Sequence, residues 1–285
     1  MVEIGKVLGE GFDIWKRNLK ICLSFVFSTL LILLIYASLF VIAFISEHFT
    51  QKQGRAPHEI TLWIILAVFI FFVIFLIIPL IIMAYFRAGA IGMAKEAYLR
   101  GETSLRDMTY YGSKKFLDLL AAFIILAIPF IILVILGLTF PLIHIGEIIY
   151  ILIISIVFAL TEYAVVIGDL GPLEGVKTAF KMFREHKLDV FLMWIIVLII
   201  ALIIESFGYF IDLLILNDMS VDIISIIVPV FGYLILNGAP DGIISIIVSL
   251  VIVQPLEVVW WSVFYLQLAP THITTQGNMG KNKGF

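Results

Sequence analysis

The stretch GDLGPLEGVKTAFKMFREHKLDVFLMW, Gly168 to Trp194, runs an amphipathic basic helix straight into an apolar segment long enough to cross a membrane. Pro172 suits a first helical turn because its missing N–H has no intrahelical partner there, with Gly171 as N-cap and Glu174 near the positive end of the helix dipole. Leu173, Val176, Phe180 and Phe183 recur on one face and Glu174, Lys177, Lys181 and Arg184 on another; from Leu188 the chain is almost wholly apolar. That pattern predicts a helix lying in a membrane surface and continuing into a crossing.

Two looser copies occur upstream. At the N-terminus Ile4, Leu8, Phe12, Trp15 and Leu19 form an apolar stripe, Lys6, Lys16, Arg17 and Lys20 supply charge, and Ile21 opens an apolar run. At Ser104 a capping-box-like start with Asp107 precedes Met108, Tyr111, Lys114 and Lys115, then Phe116 and apolar sequence. Three basic entrance helices predict three pseudo-repeats near 1–86, 103–167 and 169–268 within a single membrane domain over 1–285, with 269–285 as a flexible cytoplasmic tail.

Composition points the same way. The chain is 62% hydrophobic and 14% charged, with mean hydropathy +1.16, against about 25% charged in a soluble domain. The reading is an all-α, polytopic transmembrane helical bundle. At about 20 apolar residues per crossing, six spans emerge: Ile21 to Ile45, Ile60 to Phe86, Phe116 to Leu138, Ile148 to Ile167, Leu188 to Ile211 and Ile243 to Leu268. The first is too long for a signal-peptide core of about 7 to 15 residues and reads as a retained crossing. Between the second and third lies a polar stretch, Arg87 to Lys115. Val221 to Leu236, sixteen apolar residues broken by Pro229 and Gly232, reads as a re-entrant segment. Placing the N-terminus inside puts sixteen Lys and Arg on the inner side against two outside, so the positive-inside rule predicts both termini cytoplasmic in a multi-pass cell-membrane protein. Asp212, Asp218, Asp222 and Asp241 then make the outer face of the last third acidic.

Signatures of catalysis are missing. The five histidines form no metal-spaced pair, Cys22 is the single cysteine, and there is no phosphate-binding glycine loop or nucleophile elbow. Asp169 and Asp212 fall about 30 Å apart at opposite ends of a span, too far to share a proton. No catalytic residue, metal, cofactor or nucleic-acid partner is expected. What stands out is ionisable residues inside apolar runs: Glu162, Glu205 and Glu257, with Arg87 placed to reach Glu162. A charge at the bilayer centre costs about 2.5 to 3.5 kcal/mol on insertion scales, so these groups must face one another, a cavity or other helices. Pro255 also frees a backbone carbonyl in the last span, and Ala84, Ala88 and Gly92 permit close helix contact beside Arg87.

The motifs Phe12-x-x-Trp15-Lys16-x-Asn18, Gly89-x-x-x-Met93-Ala94, Arg100-Gly101-Glu102, Ser104-Leu105-x-Asp107, Gly171-x-Leu173 with Phe180, and Pro255 to Tyr265 resemble a prokaryotic, often archaeal, six-span membrane family. That family is similar to the membrane domain found beside some glycerophosphoryl diester phosphodiesterases. The resemblance implies topology; with no soluble phosphodiesterase domain in this chain it implies no catalysis. Three functions stay open. The first is a non-enzymatic structural or accessory protein whose Lys16, Arg17, Lys20, Lys114, Lys115, Lys177, Lys181 and Arg184 meet membrane lipids or another membrane or peripheral protein. The second is a transporter or permease component using the buried carboxylates. The third is a lipid-related membrane enzyme.

Overall fold

The computed structural model describes residues 2–51, 57–137, 143–216 and 243–269, and among them the chain is helical with no strand. The helices are α1 (Ile4–Arg17), α2 (Cys22–Gln51), α3 (Pro57–Arg100), α4 (Leu105–Gly137), α5 (Ile143–Val157), α6 (Thr161–Val166), α7 (Pro172–Glu185), α8 (Lys187–Leu216), α9 (Ile243–Val248) and α10 (Gln254–Leu268). A 3₁₀ turn, Leu19–Ile21, leads into α2, and a π-helical turn, Ser249–Val253, joins α9 to α10. The expected re-entrant segment Val221 to Leu236 and the tail from 270 onward lie outside the described residues.

Among the described residues five helices are long and apolar enough to cross a membrane: Leu19–Ser38, Ile77–Arg100, Leu105–Gly137, Lys187–Gly208 and Ile244–Leu268. Their outward faces are apolar. On α4, Leu117, Ile124, Ile128, Ile131 and Ile135 each keep half or more of their surface exposed. Such a stripe in water would be a liability; against lipid tails it is a matched surface. The interior instead collects small residues and aromatics. Ala84, Ala88, Ala90, Ala94 and Ala97 on α3 are buried, as are Tyr163, Trp261, Phe264 and Tyr265.

Two sequence expectations need correction. The second span does not end at Phe86: α3 continues through the polar stretch to Arg100, 44 residues or about 66 Å in all, the chain turns at Gly101, and α4 begins at Leu105, next to the expected start at Ser104. Gly101 ends α3 in the left-handed region, φ 82°, with its N–H on the Ala97 carbonyl at 2.9 Å. The hairpin is tight because α3 presents no side chain at Gly92, where a Cβ would fall inside the Tyr111 ring. Tyr111 is held in turn by its hydroxyl, which donates to Glu96 at 2.6 Å. The fourth expected span is also not one rod. Its sequence divides into α5, a turn over 158–160 and α6. Phe158-Ala159-Leu160 contains no helix breaker, so local propensity does not account for the turn. What the turn achieves is to reset the helix phase just before Glu162.

One end of the bundle gathers the connections. Asn18, buried after α1, donates through Nδ2 to the carbonyls of Ile14 (3.0 Å) and Gly101 (3.3 Å), and its Oδ1 accepts from the Thr103 N–H (3.0 Å). Trp260 of α10 donates from Nε1 to the Leu8 carbonyl at 2.9 Å, pinning α1 against the last helix. The Ser104–Asp107 capping box forms, with Asp107 Oδ2 accepting from Ser104 N at 2.9 Å.

Candidate functional site

Arg87 lies on α3 between half-buried Phe86 and buried Ala88, and its guanidinium meets carboxylates from two other helices. Nε donates to Glu162 Oε2 at 2.8 Å and Nη2 to Glu162 Oε1 at 2.6 Å, a bidentate fork. Glu257 Oε1 on α10 stands 3.6 Å from the same Nη2. The three side chains retain 16%, 15% and 21% of their surface, so the cluster is largely desolvated and each charge depends on its neighbours. It ties α3, α6 and α10 together, and Glu162 reaches Arg87 from the second residue of α6, directly after the 158–160 turn.

A polar line continues from this cluster along α10. Gln254, one helical turn before Glu257, donates from Nε2 to Ser249 Oγ at 3.2 Å, and Ser249 Oγ donates to Glu205 Oε1 on α8 at 3.3 Å. Ser249 opens the π-helical turn, and such turns re-aim backbone and side chains within a span. Pro255 has no N–H for the Val251 carbonyl four residues back; Cys22 Sγ donates to that oxygen at 3.1 Å. The buried cysteine thus has a structural duty the sequence did not reveal.

Beside the cluster lies a cavity of about 700 Å³ walled by α2, α3, α4, α5, α6 and α10. Its lining combines Arg87, Glu162, Glu257, Gln254 and Thr161 and the hydroxyl residues Ser28, Thr29 and Ser155 with apolar walls that include Phe25, Met83, Phe123, Leu126 and Phe130. Tyr150, also on the wall, gives its hydroxyl hydrogen to the Leu126 carbonyl at 2.6 Å.

The basic residues divide. Lys16, Arg17, Lys20, Lys177, Lys181 and Arg184 are exposed on α1, the turn after it, and α7. Lys114 and Lys115 are engaged with the bundle. Lys115, 7% exposed, bonds Asp169 at 2.7 Å, Asp118 at 3.1 Å and the Leu170 carbonyl at 3.3 Å, while Lys114 reaches Asp169 at 2.9 Å. Lys115 is therefore turned into the bundle. Asp169 holds a left-handed φ of 55° that an aspartate tolerates. Burial alone would raise its carboxyl, but the hydrogen bonds from Lys115 and Lys114 outweigh that and hold it below its usual value of 3.8. Lys95 closes the same corner by donating to the Ile167 carbonyl at 3.0 Å.

On α7 the buried residues are Gly175, Ala179 and Met182, and of the predicted apolar stripe Val176 and Phe183 pack against the core beside them. Leu173 and Phe180 of that stripe remain 52% and 48% exposed, side by side with Lys177, Lys181 and Arg184 on the outer surface. Phe12 on α1 and Leu19 beyond it are likewise 45% and 54% exposed beside Lys16, Arg17 and Lys20. Among the described residues no three His, Cys, Asp or Glu come together as metal ligands. No curated protein and no solved structure matches the chain. Residues 79–268, which carry the Arg87 cluster, both helix irregularities and α7, match the family described as Domain of unknown function (DUF7847), and the chain belongs to that family.

Proposed function

We propose that the protein is a non-enzymatic, multi-pass membrane protein of structural or accessory type, whose surface helices α1 and α7 seat in the anionic headgroup layer of the inner leaflet. The observation that carries this is the outer surface of α7. Large apolar side chains, Leu173 and Phe180, are exposed next to three exposed cations, while Gly175, Ala179 and Met182, with Val176 and Phe183 beside them, dock on the bundle. A helix exposed to water gains nothing from this arrangement; one at the interface buries the apolar groups and pairs the cations. Both termini are cytoplasmic in this reading, from the distribution of Lys and Arg. Six crossings follow if α5 and α6 together make one broken span. The likeness to the membrane domain found beside glycerophosphoryl diester phosphodiesterases rests on the sequence motifs and bears on topology.

The test is competitive lipid association, read by quenching of tryptophan fluorescence with brominated lipids in reconstituted protein. Each exposed cation near an anionic surface contributes about 1 kcal/mol. Replacing Lys177, Lys181 and Arg184 together with Gln should therefore reduce the preference for phosphatidylglycerol over phosphatidylcholine by at least tenfold. An unchanged preference rejects the lipid role and leaves a protein partner for these cations.

One observation favours a second reading, a transporter or permease component. The 158–160 turn and the π-helical turn at Ser249–Val253 both occur in spans that contribute carboxylates to the interior, and interrupted helices with buried carboxylates are how transporters build midplane sites. Flux of protons or monovalent cations through reconstituted vesicles, abolished by Glu257→Gln, would establish that reading over the first.

A further inference from the structure

The cavity beside Arg87 lies among the membrane-crossing helices. Its walls draw on Phe25 and Ser28 of α2, Met83 of α3, Phe123 of α4 and Glu257 of α10, all inside segments long and apolar enough to span a bilayer. Its volume of about 700 Å³ is that of a small-molecule site, and its setting favours an occupant that partitions into lipid. The polar lining decides the head. Its ions are already engaged: Arg87 forks onto Glu162 at 2.6 and 2.8 Å, and Glu257, 3.6 Å from the same guanidinium, has a further partner. A charged head would enter a desolvated place with no counterion waiting, a penalty that a neutral head avoids. The hydroxyls are divided. Tyr150 and Ser155 give their hydrogens to the carbonyls of Leu126 and Leu152, at 2.6 and 2.9 Å, and keep only lone pairs for a ligand. Thr161 is 2% exposed, and its Oγ1 has no hydrogen-bond partner among the described residues, so its hydrogen is still to be given. An ammonium serves only groups of the first kind and an ether or ester only the second, whereas a hydroxyl serves both. Along α4, Phe123, Leu126, Ala127 and Phe130 recur at helical spacing in the lining and offer a track for a chain.

We propose that this cavity binds an uncharged single-chain amphiphile whose head is a hydroxyl, accepting a hydrogen bond from Thr161 Oγ1 while the chain runs along Phe123 and Phe130. Phe158, in the same lining, stacks on Phe180 of α7 with ring centroids 6.2 Å apart. Cavity and surface helix thus share a wall, and binding is compared in one lipid composition throughout.

The experiment photolabels the full chain in phosphatidylcholine nanodiscs, using hexadecanol with a diazirine in mid-chain, and maps the labelled peptides. Label is expected on the α4 stretch 123–130 or the α5 stretch 150–158. Unlabelled hexadecanol should compete about tenfold better than hexadecane, hexadecyl phosphate or hexadecylammonium, because each of these leaves a buried group unpaired. Thr161→Val should erase the margin over hexadecane and melt no lower than the parent, since it deletes a hydroxyl that lacks a partner. Thr161→Ser, which restores the donor, should keep the margin. Ala127→Trp, which fills the apolar wall, should remove the label in a variant that still melts cooperatively. Hexadecane competing as well as hexadecanol, either ionic probe competing better, label confined to other helices, a Thr161→Val protein that keeps the margin, or label that survives Ala127→Trp would each overturn the proposal.

Discussion

Substituting Glu162 by Gln keeps the side-chain volume and one acceptor oxygen but removes the charge that the Arg87 guanidinium grips at 2.6 and 2.8 Å. Breaking a fully buried ion pair by removing one partner costs about 3 to 5 kcal/mol, because the remaining charge is stranded in a poor solvent. Two features reduce that here. Arg87 keeps 16% of its side-chain surface, and Glu257, 3.6 Å away, can close on the vacated hydrogens. The expected loss is therefore about 2 to 3 kcal/mol. Arg87→Gln should cost more, since it strands two carboxylates, and Glu257→Gln least, since the bidentate pair survives. Adding Arg87→Gln to Glu162→Gln should recover part of the loss, and adding Glu257→Gln as well should recover most of it. Unfolding in mixed micelles under increasing dodecyl sulfate, followed by circular dichroism, ranks the variants. An Arg87→Gln protein no weaker than Glu257→Gln, or a triple variant no better than Glu162→Gln alone, would refute the cluster as a mutually dependent unit.

Gly92→Ala forces a methyl into the Tyr111 ring, which Glu96 holds in place, and should cost about 3 kcal/mol in the same assay, with Gly9→Ala, whose position is open, near zero. Asn18→Ala strands the Thr103 N–H in a buried corner, for a loss of about 1 to 3 kcal/mol; Asn18→Asp, which still accepts from Thr103, should fall between. For Asp169 the folded carboxyl lies below its ordinary value of 3.8, so its pairing stabilises the fold above that pH and is lost as pH falls below it. Asp169→Asn should accordingly melt below the parent at pH 7, and the two melting curves should converge as pH is lowered beneath about 4.

Much of the architecture was readable because a membrane imposes long apolar runs, and helices follow from the need to satisfy backbone groups in lipid. Arg87 and Glu162 could be matched on paper, since a lone guanidinium in an apolar run requires a carboxylate. Glu257 could not be added to them, because nothing in the sequence gives the phase of α10 after the π-helical turn at Ser249–Val253. The break before Glu162 was hidden for a similar reason: Phe158, Ala159 and Leu160 are ordinary helix residues, and tertiary pairing outweighs their propensity. The charges between Arg87 and Lys115 hide the continuation of α3 past Phe86, whereas Ala88, Ile91, Ala94 and Ala97 form a buried helix face with Lys95 and Arg100 held by partners beside it. Periodicity likewise assigned Lys115 to a basic surface; only the fold brings Asp169 to it from 54 residues further on.

The depth of α7 tests the central claim most directly. In a Cys22→Ser background, which keeps a donor for the Val251 carbonyl, single cysteines at Phe180 and Lys181 can carry nitroxide labels in vesicles containing phosphatidylglycerol, with depth read from relaxation by oxygen and by a water-soluble nickel chelate. A helix seated in the interface predicts that the Phe180 label is oxygen-accessible at the acyl boundary and the Lys181 label sits at headgroup level, both shifting toward water when phosphatidylglycerol is replaced by phosphatidylcholine. Two labels equally open to the nickel chelate in both lipids would contradict it.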